Sequence, residues 1–333
     1  MSPGRAARAL AAGSLGRLFS RLGAWRGVLV MTHHRVGDPE ASQFDRSLWS
    51  STAESLDGQV RFLAREADVI VPAELEQALQ DGRRRHVMLT FDDGYRDNYE
   101  IAYPILRSHG VPACFFVATG FLDDARPAWW DEIAWMVRRS DRPSLDPGPW
   151  LPAPLSLDAD HRSAAIRTLT ERYKELAGDE TGEYIDFLAE ATGSGRCPAG
   201  QAAAEWMSWD MVREMRDGGM AIGGHTVTHP VLSRLPRELQ EQEIAGCARR
   251  LEEELGEPMR AFSYPNGTPW SFDEHTRAAL DAHDVELAFS FYGGYLNPGR
   301  LDRYDVPRCA VLRHWSPTDF VGAAVLPQAF ARV

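Results

Sequence analysis

Apolar runs of strand length alternate with helix-length stretches almost from end to end, and this alternation limits the fold more than any other feature of the chain. GVLVMTHH (27–34), HVMLTFDD (86–93), ACFFVAT (113–119), AIGGHT (221–226), AFSYP (261–265), ELAFSF (286–291) and VPRCAVL (306–312) read as buried strands, and VIV (69–71) as a shorter one. Helices are expected at 52–66, from Pro72, at about 96–109 with Gly110 as C-terminal cap, at 208–217, 236–255 and 271–283, and from about 317. Strands separated by helices make parallel sheets, because a parallel pair needs a long crossover. The fold class is therefore α/β, a barrel or an open sheet, with chemistry at the C-terminal strand ends. Residues 126–205 break the pattern. They open with PAWWDEIAWMV, pass through the Pro-rich SLDPGPWLPAPLSLD and read as a mostly helical insertion.

Composition serves mainly to exclude. The net charge of −12, from 36 basic and 48 acidic residues, argues against a nucleic-acid partner, which needs a basic surface. Only Lys174 is a lysine, a bias that reflects base composition more than function. The four cysteines (Cys114, Cys197, Cys247, Cys309) form no CxxC pair, so a structural zinc knuckle is excluded. Cys114 and Cys309 lie in apolar runs and read as buried thiols. No apolar stretch reaches the length of a membrane span, and Arg17, Arg21 and Arg26 interrupt any signal-peptide core, so a cytoplasmic location is expected. Segment 1–26 has five arginines, no acid, and Leu15, Leu18, Phe19, Leu22 and Trp25 near helical spacing. It reads as a basic amphipathic helix, packed on the domain or resting peripherally on an anionic membrane.

Three strand ends carry polar groups suited to catalysis. In Thr90-Phe91-Asp92-Asp93-Gly94 two adjacent carboxylates precede a glycine turn. Like charges this close are divided in role when one binds a cation and the other acts as a base; a capped turn is the plainer alternative. His225 and His229 are spaced to reach one metal ion from a loop, and Asp plus two His leaves room for water and substrate, as a catalytic zinc requires. Ser263-Tyr264-Pro265-Asn266-Gly267 turns sharply, and its N–H groups could line an oxyanion site.

Together these segments resemble the polysaccharide deacetylases of carbohydrate esterase family four, the group with a NodB-homology domain. TFDDG (90–94) matches the first motif, HTVTH (225–229) the second, and SYPNG (263–267) a variant of the third, in family order over roughly 27–312 less the insertion. The resemblance implies a distorted (β/α)7 barrel within 27–333. It implies Asp93, His225 and His229 as ligands of Zn2+ or another divalent transition metal, with Asp92 as general base. Thr226 and Asn266 would support the site, and the Tyr264 backbone N–H would face the oxyanion. The activity implied is removal of N-acetyl groups from an amino sugar in a polysaccharide, oligosaccharide or glycoconjugate.

The chain departs from that pattern in places. The family's base-buttressing arginine is missing beside Tyr264, leaving Arg260 or, from another strand end, Arg308. The late Asp-Trp motif is not recognisable; Trp209-Asp210 looks like a helix start. The general acid is a choice between His314 in Leu312-Arg313-His314 and His34. THHRV (32–36) resembles the strand end of the biofilm poly-N-acetylglucosamine deacetylases, whose acid comes from the N-terminal strand, and His34 is preferred. Trp129, Trp130, Trp135 and Trp206 either stack on sugar rings or form the insertion's own core. Alternatives in activity are a deacylase or deformylase of a lipid-linked sugar amide, and a non-catalytic carbohydrate-binding barrel.

Overall fold

In a computed structural model, residues 25–81 and 84–327 are described. The helix expected in segment 1–26 falls almost wholly outside them. Nine strands form the main sheet: β1 (Gly27–His33), β2 (Asp68–Val69), β3 (Arg85–Phe91), β4 (Cys114–Val117), β5 (Ala221–Gly224), β6 (Ala261–Ser263), β7 (Leu287–Phe289), β8 (Tyr295–Leu296) and β9 (Cys309–Ala310). Their order is β7-β6-β5-β4-β3-β1-β8, with β2 against β3 and β9 against β1. All pairings are parallel except β1 with β8. The longest, β1 on β3, runs from Gly27↔Arg85 to His33↔Phe91. Both strands are almost wholly buried, which a parallel sheet covered on two sides requires and which explains their unbroken apolar sequence.

The sheet closes through segment 306–311. Val306 pairs with Phe289 of β7, donating its N–H to the Ala288 carbonyl at 2.9 Å. Three residues later Cys309 pairs with Met31 of β1, and the Val311 N–H reaches the Thr32 carbonyl at 2.9 Å. β1, β3, β4, β5, β6, β7 and segment 306–310 thus make the seven parallel staves of a distorted (β/α)7 barrel. Side chains alternate along each stave. Val28, Val30, Met88, Cys114, Phe116, Ala261, Phe289 and Val306 form one cluster, the barrel interior. Leu29, Met31, Leu89, Phe115 and Val117 face the surrounding helices.

The helices are α1 (Ala53–Glu66), α2 (Leu75–Gln80), α3 (Tyr103–His109), α4 (Thr119–Asp124), α5 (Trp129–Arg139), α6 (Arg162–Glu175), α7 (Thr181–Thr192), α8 (Trp209–Asp217), α9 (Arg237–Leu255), α10 (Glu274–Ala282) and α11 (Pro317–Val325). α1 starts where the Thr52 side chain accepts the Ser55 N–H, and it buries Leu56, Val60 and Leu63. α8 starts at Trp209, capped by Ser208. Gly110 ends α3 at φ +63°, the left-handed conformation that a helix C-terminus favours.

Some expectations are corrected. The helix expected from 96 begins with a π-helical turn over Asn98–Ala102. β8, a two-residue antiparallel strand, has too little pattern to be seen in sequence. Cys309 is only partly buried, and all four cysteines are free. Between β4 and β5, α5, α6 and α7 share a core that includes Ile133, Trp135, Leu169, Tyr184 and Leu188. No helix among the described residues is long and apolar enough to cross a membrane.

Candidate active site

Period-two alternation carries the barrel interior upward into the site. Above Met88 come Thr90 and then Asp92; above Ala261 comes Ser263; above Val306 comes Arg308. These side chains therefore converge inside the C-terminal mouth. Arg308 is the largest fully buried side chain among the described residues, and it grips Asp92 with both ends of its guanidinium: Nη1 donates to Oδ1 and Nη2 to Oδ2, each at 2.8 Å. Its remaining N–H groups reach Ser263 Oγ and the Ser290 carbonyl, both at 2.8 Å, and Thr90 Oγ1 at 3.3 Å. Burial is the largest single influence and raises the Asp92 pKa, but the Arg308 charge, its hydrogen bonds and the nearby His225 and His34 together outweigh it, and the carboxyl is held well below its usual range. Arg260 points elsewhere, pairing with Glu286 at 3.4 Å on the surface.

Asp93 would face away from Asp92 if the strand continued. It does not: Asp93 takes φ +78° and Gly94 φ +92°, which swings the second carboxylate back over the mouth. Asp93 Oδ1 then lies 3.4 Å from Nε2 of both His225 and His229. The histidine loop is bent in the same manner, with Thr226 at φ +67° and His229 at φ +58°. A β-branched residue in this region is strained. Thr226 is repaid by a hydrogen bond, its Oγ1 accepting the His229 N–H at 2.9 Å. Glu243 secures the same loop, accepting from the N–H groups of Val227 and Thr228 at 2.9 and 2.8 Å. A side chain before His225 would have to displace the side chains packed over the strand, since a Cβ on Gly224 would lie 2.2 Å from the Met259 sulfur and 2.8 Å from the Cys247 sulfur.

The donor set fits one metal ion. The ligand atoms of Asp93, His225 and His229 all lie within 4.8 Å of one another, and all three residues are buried. His225 Nδ1–H donates to the Ser263 carbonyl at 2.7 Å, which fixes the tautomer and leaves the Nε2 lone pair free for a ligand. Burial and the neighbouring His225 push His229 down to about 3, so its ring is neutral. Asp93 Oδ1 is buried without a hydrogen-bond partner, as expected of an atom whose partner is a cation.

Other sequence candidates land differently. His34 is half-buried at the end of β1, edge-on to Phe291 at 5.4 Å, and its charge lowers the pKa of both Asp92 and Asp93. His314 is exposed on the turn before α11. The Tyr264 N–H is a correction: it donates to the Phe289 carbonyl at 3.1 Å within the sheet, so it is not a spare oxyanion donor. The Tyr264 ring is buried against Phe272 at 3.9 Å. Asn266 holds the left-handed position of its turn (φ +63°), and its amide reaches Thr268 Oγ1 at 3.4 Å. Trp130, Trp135 and Trp206 are each at most 5% exposed and so are closed to sugar stacking. Trp135 lies in the insertion core, whereas Trp130 and Trp206 cluster with Tyr95 and Phe121. Half-buried Trp129 stacks on Tyr173 at 4.0 Å. Sequence reasoning missed the parts played by Ser263, Thr90 and Glu243, for which no local pattern exists.

Fold and site together define an α/β barrel whose mouth holds a buried acid–arginine pair and, among the described residues, one His-His-Asp cluster able to take a metal ion. The chain belongs to the polysaccharide deacetylase family, whose sequence model matches residues 80–140 and 179–288. It is 55% identical over 31 residues to YxkH of Bacillus subtilis (strain 168), which carries a provisional polysaccharide-deacetylase name; that match spans 9% of this chain and 11% of the relative. Among solved structures it resembles the deacetylase PplD of Streptococcus pyogenes in complex with acetate (TM-score 0.57, 18% identity, 92% of this chain and 97% of that one). It likewise resembles IcaB from Ammonifex degensii (TM-score 0.55, 21% identity, 93% and 98%). A third is the de-N-acetylase from Aggregatibacter actinomycetemcomitans (TM-score 0.54, 18% identity, 87% and 96%). At these identities the likenesses show the fold.

Proposed function

We propose that the protein is a metal-dependent hydrolase that removes N-acetyl groups from an N-acetylated amino sugar within a polysaccharide, oligosaccharide or glycoconjugate. The observation that carries this reading is the convergence of Asp93, His225 and His229 beside an Arg308-clamped Asp92. Membership of the polysaccharide deacetylase family and the acetate bound by PplD support the substrate class.

In this reading Asp93, His225 and His229 hold the metal. A divalent transition metal there, Zn2+ being the usual choice for two histidines and a carboxylate, supplies Lewis acidity toward a carbonyl and toward water. The chain's own residues handle the protons. Asp92 stays ionised at neutral pH, and its Oδ2 lies 3.9 Å from His225 Nε2, so it is placed to take a proton from the attacking water. Arg308 and Ser263 hold Asp92 in place. His34 returns a proton to the departing nitrogen, because an amine leaves poorly as an anion. The water oxygen joins the acyl carbon, the carbon–nitrogen bond breaks, and the products are acetate and a free amino sugar. We read 27–333 as one barrel carrying a helical insertion at about 126–205.

The test is acetate release by Zn2+-loaded protein across N-acetylated glycans and lipid-linked amino sugars, with formate followed in parallel. Acetate from N-acetylated glycans, abolished by a chelator and restored by metal, is the expected result. Formate alone would place the chain with the deformylases. No release from any substrate by metal-loaded protein would refute the hydrolytic reading.

A further inference from the structure

Three residues at the start of the insertion, Trp129, Trp130 and Asp131, have no part in the reading above, yet they touch it. His225 has its ring oriented by the Ser263 carbonyl. His229 has no such partner: its Nδ1 is buried without a hydrogen bond. Metal-ligating histidines almost always have the second ring nitrogen held, so the His229 ring needs another restraint.

Trp130 supplies one. Its indole packs across the His229 ring with centroids 4.4 Å apart at 64°. The indole is itself pinned. Its Nε1–H donates to the Tyr95 hydroxyl at 2.7 Å, and that hydroxyl donates to Asp131 Oδ2 at 2.8 Å. Asp131 Oδ1 accepts the Asp45 N–H at 3.0 Å. Tyr95 lies two residues beyond Asp93, and its ring is held between the Arg35 guanidinium at 4.2 Å and Trp206 at 4.5 Å. Trp129 Nε1–H donates to the His229 carbonyl at 3.1 Å. The chain of contacts therefore starts beside one candidate ligand, crosses into the insertion and ends against the ring of another.

We infer that Trp130, pinned through Tyr95 and Asp131, is a positioning residue for His229, so that the insertion is part of the metal site's scaffold. The inference rests on Asp93, His225 and His229 being the ligand set. Support of this kind is worth about 10–100-fold in metal affinity.

The test measures Zn2+ dissociation constants by chelator competition, alongside the thermal midpoint of the metal-free protein. Trp130→Ala is expected to weaken Zn2+ binding by about 10–100-fold. Trp130→Phe, which keeps an aromatic face, should recover much of the loss. Trp135→Phe, in the insertion's own core, should lower the midpoint without changing affinity. A folded Trp130→Ala with wild-type affinity, or a Trp135→Phe that binds as weakly as Trp130→Ala, would overturn the inference. Should Trp130→Ala not fold, Tyr95→Phe decides: it cuts the pin by one oxygen, and unchanged affinity there also overturns the inference. Wild-type protein that binds no divalent metal would refute the ligand set instead.

Discussion

Replacing Arg308 by methionine probes the electrostatics of the site most directly. The guanidinium is fully buried and holds both oxygens of a buried carboxylate at 2.8 Å. Arg308→Met leaves Asp92 charged, desolvated and unpaired, and breaking a buried pair on one side costs about 3–5 kcal/mol. That is a large share of a typical total stability of about 5–15 kcal/mol. Asp92 can relieve part of the cost by taking up a proton, since burial raises its pKa and Arg308 is the strongest opposing influence. Removing both charges should behave differently, because apolar replacement of a whole buried pair is often neutral. The double variant Asp92→Leu/Arg308→Met should therefore be more stable than Arg308→Met by at least about 2 kcal/mol. Guanidinium chloride unfolding of the metal-free proteins at pH 7, followed by tryptophan fluorescence, measures both differences. If Arg308→Met lies within about 1 kcal/mol of wild type, the clamp does not carry the Asp92 charge, since deleting one partner should cost about 3–5. A double variant no better than the single would refute the reasoning equally.

Asp92→Asn should keep its metal by elemental analysis while kcat falls by about 10²–10⁴-fold, and His225→Ala should lose both; full turnover by Asp92→Asn would remove it as the base. His34→Gln should lower kcat for acetate release, whereas His314→Gln, altering an exposed turn, should leave it unchanged; the reverse outcome would move the general acid to the C-terminal side. The pH dependence of stability should carry a histidine component from His33. Burial pushes its pKa down to about 4, so the folded form is neutral while the unfolded form protonates from about 6.5. Between those values the unfolded chain binds more protons, so stability falls as pH drops from 6.5, by about 3 kcal/mol at pH 4. His33→Gln in metal-free protein should show a shallower fall over that window; identical slopes would mean that His33 is protonated in the fold.

Legibility differed from element to element. The long staves β1 and β3 could be read at once, because a strand buried on both faces must be apolar throughout. The staves at 261–263 and 287–289 are only three residues long, and sequence overstated them, because closure of a distorted barrel bends the chain away as soon as the ladder is made. The candidate ligands Asp93, His225 and His229 were nameable because each sits in a short local motif, Asp92-Asp93 or His225 to His229, that resembles one of the family's; that the two motifs meet is decided by the fold. The Tyr264 N–H was misassigned because its partner, Phe289, comes from the next strand.

The sequence by itself determined the parallel α/β architecture and the residue types at each strand end, since periodicity and turn chemistry are properties of short segments. Only the tertiary structure decided between Arg260 and Arg308, brought the buried Ser263 to the Asp92 carboxylate and Thr90 to the Arg308 guanidinium, and turned the insertion's first residues onto His229. Each of those contacts joins residues far apart in the chain. Barrel closure alone sets which of them meet: segment 306–311 must bridge β7 and β1, and the alternation within it points Arg308 inward at Asp92.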